Sequence, residues 1–110
     1  MPEIETLAKI LNEIAKQPWD HALFVEGNCP WREDARCAVL NPDDSDDPDE
    51  DPPFAKESGL KYALNVQQAR SVVENLRQQM PQAGPSDLTD AFNFYAKNDA
   101  FIRVGASGMR

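Results

Sequence analysis

A chain of 110 residues has room for one domain with a real core and not for two. With 41% hydrophobic and 27% charged residues it has an ordinary globular composition, and no apolar run reaches the length of a membrane span. A formal net charge of −8 and an isoelectric point near 4.5 exclude general nucleic-acid binding, which needs a basic patch, and favour a basic protein partner.

The first helix is marked by Ile4, Leu7, Leu11 and Ile14 at helical spacing, widened by Ala8, Ile10 and Ala15. Glu3 and Glu5 suit its positive end, Lys16 suits the other, and Pro18 stops it. Residues 22–25 (Ala-Leu-Phe-Val) then read as a strand. A loop punctuated by Gly27 and Pro30 leads to a second strand at 37–40, antiparallel to the first because the connection is short. Asn41-Pro42 closes it, and residues 41–59 form a long loop. A helical turn is expected inside that loop, with Pro53 at its start and Gly59 as its stop. Residues 61–64 read as a third strand.

Asn65 then caps a second helix, with Gln68 completing a capping box and Ala69, Val72, Val73, Leu76 and Met80 as the buried stripe. Ser86 is the expected cap of a third helix, buried through Leu88, Ala91, Phe92 and Tyr95. Asn98-Asp99 turns the chain into a last strand at 101–104, and 105–110 reads as a flexible tail. The fold expected is α+β: a mostly antiparallel sheet of about four strands packed against helices, in the order α-β-β-β-α-α-β. It forms a single domain over 1–104 that carries the acidic loop 41–59.

That loop holds most of the charge. Seven of the nine residues from 43 to 51 are acidic (Asp43, Asp44, Asp46, Asp47, Asp49, Glu50, Asp51), none is basic, and the rest of the chain carries only −1. Such a run repels itself and belongs on the surface, and Pro48, Pro52 and Pro53 oppose regular structure within it. Its spacing is wrong for an EF-hand, which needs Gly at the sixth and Glu at the twelfth position. Counting from Asp43 those positions are Pro48 and Phe54, and from Asp47 they are Pro52 and Ser58. No metal site and no cofactor are expected.

Catalytic patterns are equally lacking. There is no Gly-x-Gly-x-x-Gly, phosphate loop or Ser nucleophile elbow, and exposed acids in a proline-rich run offer no burial to push paired carboxylate pKa values apart. His21 is the only histidine, so a nucleophilic site would pair it with Cys29 or Cys37. The two cysteines are too few for a disulfide framework and are expected to be buried thiols. No enzyme activity is expected. Of the two tryptophans, Trp19 is expected in the core and Trp31, amid Pro30, Arg32 and Glu33, on the surface as a binding anchor. Phe54 either pins the long loop onto the core or contacts the partner.

Pro18-Trp19-Asp20-His21-Ala22-Leu23-Phe24, Cys37-Ala38-Val39-Leu40-Asn41-Pro42-Asp43-Asp44, Leu60-Lys61-Tyr62-Ala63-Leu64 and Asn98-Asp99-Ala100-Phe101-Ile102 together resemble an uncharacterised family of short acidic bacterial proteins. In size, charge and architecture the chain is also similar to the immunity proteins of contact-dependent growth inhibition and other polymorphic toxin systems. This second resemblance implies a toxin inhibitor acting by protein binding, and it carries over no site residues.

The physical case for such a role is separate. Toxin domains that cleave nucleic acid present basic clefts, and an acidic loop speeds encounter with one while an apolar anchor supplies residence time. The expected function is therefore a cytoplasmic binding protein for a basic, cognate toxin domain. Trp31, the seven acidic residues and Phe54 make up the partner-binding set. The acidic start Met1-Pro2-Glu3-Ile4-Glu5, where a signal peptide would be basic, points to the cytoplasm. Neither nucleic acid nor membrane is an expected partner, and the oligomeric state stays open. The alternatives are a small enzyme using His21 with Cys29 or Cys37, and a regulatory module without a toxin partner.

Overall fold

The computed structural model describes residues 4–41 and 52–101. Over them the chain forms β1 (Glu5–Thr6), α1 (Leu7–Asn12), a 3-10 turn (Ile14–Lys16), β2 (Ala22–Glu26), β3 (Arg36–Leu40), α2 (Pro53–Ser58), β4 (Leu60–Asn65), α3 (Val66–Gln79) and α4 (Pro85–Asn98). The strands make one antiparallel sheet in the order β1-β3-β2-β4. The class is α+β, as the alternation of apolar runs and helical stripes requires.

The N-terminal helix is shorter than its apolar stripe. Thr6 is extended, and its hydroxyl accepts the Lys9 N–H at 3.2 Å, so the helix begins at Leu7 and not at Ile4. The next two free N–H groups are used as well: Leu7 donates to the Ala35 carbonyl at 2.9 Å and Ala8 to that of Glu33 at 3.0 Å. Those bonds carry the preceding residues along β3, where Glu5 pairs with Cys37 and Thr6 with Arg36. Leu7, Ile10, Leu11 and Ile14 are buried as expected, whereas Ala15 is exposed and Ile4 packs on the opposite side of the sheet.

The sheet buries both faces, each with its own residues. Leu23, Val25 and Cys37 face α1, α3 and α4 in the main core. Ala22, Phe24, Ala38 and Leu40 face the other way, against Ala55 of α2, Leu60, Ile4 and Phe54. A bulge in β4 reconciles these alternations. Phe24 pairs with Tyr62 but Leu23 pairs with Leu64, which leaves Ala63 as an extra residue. Tyr62 therefore meets Phe24 edge-on (centroids 5.6 Å) on one face while Leu64 joins the main core on the other.

α2 starts at Pro53 and ends at Gly59, whose φ of +73° is the left-handed conformation that glycine adopts without strain. α3 opens on the expected capping box: the Asn65 carboxamide accepts the Gln68 N–H at 2.7 Å and the Gln68 side chain accepts the Asn65 N–H at 3.1 Å. α4 begins one residue before the expected cap Ser86. Gly84 is the N-cap, Pro85 is the first helical residue, and the Asp87 carboxylate accepts the Gly84 N–H at 3.0 Å.

The strand expected at 101–104 is not part of the described sheet. Asp99, at φ +54°, ends α4 in the left-handed region, and Phe101 follows outside any strand. Phe101 is 41% exposed and lies against Tyr95 with ring centroids 5.3 Å apart. Glu5–Thr6 supplies the fourth strand instead. Residues 102–104 of the expected strand and the tail 105–110 lie outside the described residues.

Candidate partner-binding surface

The chain enters the acidic run at Asn41, just beyond β3, and leaves it at Pro52, just before α2. Both residues line one cleft of about 340 Å³. Its walls come from three places: Gln17, Pro18 and His21 before β2, Val39, Leu40 and Asn41 at the end of β3, and Pro52 and Phe54 at the start of α2. Antiparallel pairing of β2 with β3 sets Ala22 opposite Leu40 and so holds the first two segments side by side. Asp43, Asp44, Asp46, Asp47, Asp49, Glu50 and Asp51 lie outside the described residues.

Trp19 is 66% exposed, contrary to the expectation that it fills the core. The reason is local. The His21 N–H donates to the Pro18 carbonyl at 3.2 Å, so Trp19 and Asp20 occupy the middle of a turn and point outward. The Asp20 carboxylate meets His21 Nδ1 at 2.9 Å, and the His21 carbonyl accepts the Val66 N–H at 2.9 Å, which ties the turn to the start of α3. A large apolar side chain thus projects from the segment that forms one wall of the cleft.

Trp31, expected on the surface, is half-buried. Its ring lies 5.5 Å from that of Phe92, its indole N–H donates to the Gly27 carbonyl at 3.2 Å, and its backbone is bonded to the side chain of Asn93. Those contacts bind the 27–35 loop to α4. Phe54 is half-buried and packs on the second face of the sheet, the anchoring role considered for it, while its other side lines the cleft.

Asn93 was not legible as important. It is one of several polar residues on the helix, and its partners lie 62 residues away in sequence.

His21 and the two cysteines occupy three different surroundings. His21 lines the cleft just described. Cys29 is exposed rather than buried, faces Asn93 with Sγ 3.8 Å from the main-chain oxygen and 3.7 Å from Oδ1, and lines a second cleft of about 550 Å³ along α4. Cys37 is fully buried, and burial pushes its thiol well above the ordinary value, which keeps it protonated and un-nucleophilic. Both thiols are free.

Among the described residues no three His, Cys, Asp or Glu side chains gather to hold a metal ion, and no buried side-chain polar atom lacks a partner. No helix among them is long and apolar enough to cross a membrane.

No curated protein and no solved structure matches the chain. A family model does. The one described as "Domain of unknown function (DUF7716)" matches residues 3–104, nearly the whole chain and the entire described fold, and the protein belongs to that family.

Proposed function

We propose that this protein is an immunity-type inhibitor: a cytoplasmic binding protein that neutralises a basic toxin domain, a nuclease, by electrostatically steered association. The observation that carries the reading is the tethering of the acidic run. Its two ends, Asn41 and Pro52, line one cleft with His21 and Phe54, and the exposed Trp19 adjoins Pro18 on that cleft's wall. Seven carboxylates attached at that rim attract a basic surface over a range set by ionic strength. The apolar wall and Trp19 provide the short-range contacts that slow dissociation. A nucleic-acid-cleaving toxin fits this arrangement because its own substrate site is positively charged, so an inhibitor that covers it competes directly with phosphate.

The test asks first whether a large toxin gene lies immediately upstream of this one in the native host. Its product's C-terminal domain is expressed and its binding to this protein followed by surface plasmon resonance at several salt concentrations, alongside rescue of cells producing that domain. Tight binding with an association rate that falls steeply with salt, together with rescue, is the expected result. Absence of both, with co-purification from the native host yielding no basic partner, overturns the reading.

A further inference from the structure

We propose that the outer stripe of α4 is a two-fold interface through which two copies of this chain pair. α4 has two distinct faces. Leu88, Ala91 and Phe92 are buried in the core, while Asp90, Phe94 and Lys97 stand at i, i+4 and i+7 on the exposed outer side, with Asn93 beside them turned to the Trp31 backbone. Phe94 is 37% exposed, a large apolar side chain midway between two opposite charges. Beside this stripe runs the cleft of about 550 Å³, with Cys29 and Pro30 as its far wall.

The stripe is a charge palindrome. Asp90 and Lys97 lie equally far from the midpoint between Asn93 and Phe94, about 10 Å apart along the axis at the rise of an α-helix. When a second α4 is laid antiparallel across the first, Asp90 of each copy meets Lys97 of the other. The two Phe94 rings then lie next to one another across the two-fold axis, an apolar centre flanked by the two charge pairs. That is the isologous arrangement a two-fold dimer requires, in which one patch is complementary to itself.

Three further observations select a second copy as the occupant. Neither Asp90 nor Lys97 is ion-paired among the described residues, so both are available to a partner. Antiparallel helices also place opposite dipole ends together. Finally, the acidic run joins α2, which packs on the sheet face opposite to the one α4 covers. Pairing through α4 thus joins the two copies on the side away from α2 and leaves the proposed toxin-binding surface open on each. Pairing through α4 requires no particular identity of that partner.

Sedimentation velocity of the full chain over a wide concentration range tests it, with circular dichroism confirming that each variant is folded. The wild type is expected to pass from monomer to dimer as concentration rises. Asp90→Lys and Lys97→Asp each set like charges against one another twice per dimer, and each is expected to weaken pairing at least about tenfold. The double swap Asp90→Lys/Lys97→Asp re-forms the pairs with reversed sign and is expected to recover the wild-type dimer. Phe94→Ala is expected to weaken pairing in either background. A wild type that stays monomeric throughout, a dimer indifferent to the single reversals, or a double swap that fails to recover it overturns the proposal.

Discussion

The carboxamide of Asn93 pairs with the backbone of Trp31 through two hydrogen bonds, Oδ1 accepting the Trp31 N–H at 2.7 Å and Nδ2 donating to its carbonyl at 2.8 Å. One side chain on α4 therefore replaces a missing strand neighbour for a loop residue 62 positions away. The pairing positions the Trp31 ring on Phe92 and holds Cys29 at the edge of the α4 cleft. Replacing Asn93 by Ala removes both bonds, and replacing it by Asp sets an oxygen against the Trp31 carbonyl. Each change is expected to lower unfolding stability by about 1–3 kcal/mol, the cost of leaving half-buried polar groups unpaired. Urea denaturation measures the loss. In a Trp19→Phe background, a red shift of tryptophan emission in the native state reports release of Trp31.

The two thiols should behave oppositely. Native protein treated with iodoacetamide at neutral pH is expected to gain one adduct, at Cys29, with Cys37 modified only after unfolding; mass spectrometry of peptides distinguishes them. Cys37 also links stability to pH. Its thiol is pushed up in the folded state, so the folded chain keeps the proton after the unfolded chain has lost it. That contribution is complete below the ordinary thiol value of 9.0 and declines as pH rises beyond it. A Cys37→Ala variant should lack this alkaline component in its stability profile. Cys37→Ser should cost about 1–3 kcal/mol by burying a hydroxyl, and neither cysteine replacement should alter partner binding in protein that stays folded.

The junction between β4 and α3 rests on the reciprocal Asn65–Gln68 cap. Asn65→Ala is expected to destabilise the domain by roughly 1 kcal/mol, and Gln68→Ala by less, since it removes only the bond to the Asn65 N–H. Thermal melts give the magnitudes. Equal and negligible effects would show that packing of Val66 and Ala69 sets the helix start by itself.

The proposed partner surface separates kinetically into two parts. Changing Asp44, Asp46, Asp47 and Asp49 to Asn is expected to slow association with a basic partner of the proposed kind and flatten its salt dependence. Domain stability should stay the same or rise slightly as self-repulsion is relieved. Trp19→Ala is expected instead to accelerate dissociation, with a loss of at least about 2 kcal/mol if it is a desolvated anchor. It should leave the melting curve unchanged, because this side chain is mostly exposed in the free protein. An unchanged association rate in the tetra-Asn variant at low salt would reduce the run to a solubilising loop.

What the sequence by itself determined here was local in origin. The α+β class, the Asn65–Gln68 cap, the Gly59 stop, the antiparallel β2–β3 pair and the buried stripes of α3 and α4 all follow from interactions within a few residues or from a simple period. The acidic run was legible for the same reason, since charge density needs no fold to be counted.

Tertiary structure alone decided which elements meet. Glu5 and Thr6 read as the first turn of a helix, but bonds to residues beyond position 30 made them a strand. Phe101, the first residue of the strand expected at 101–104, lies outside any strand, following the left-handed Asp99 and packed against the Tyr95 ring. Trp19 and Trp31 each depart from expectation: a turn holds the first outward, and Phe92 with Asn93 draws the second into a half-buried position. In each case the deciding partner lies outside the local sequence window or depends on turn geometry. Hydrophobicity records only that a side chain favours burial, whereas the contacts it finds are set by the path of the chain.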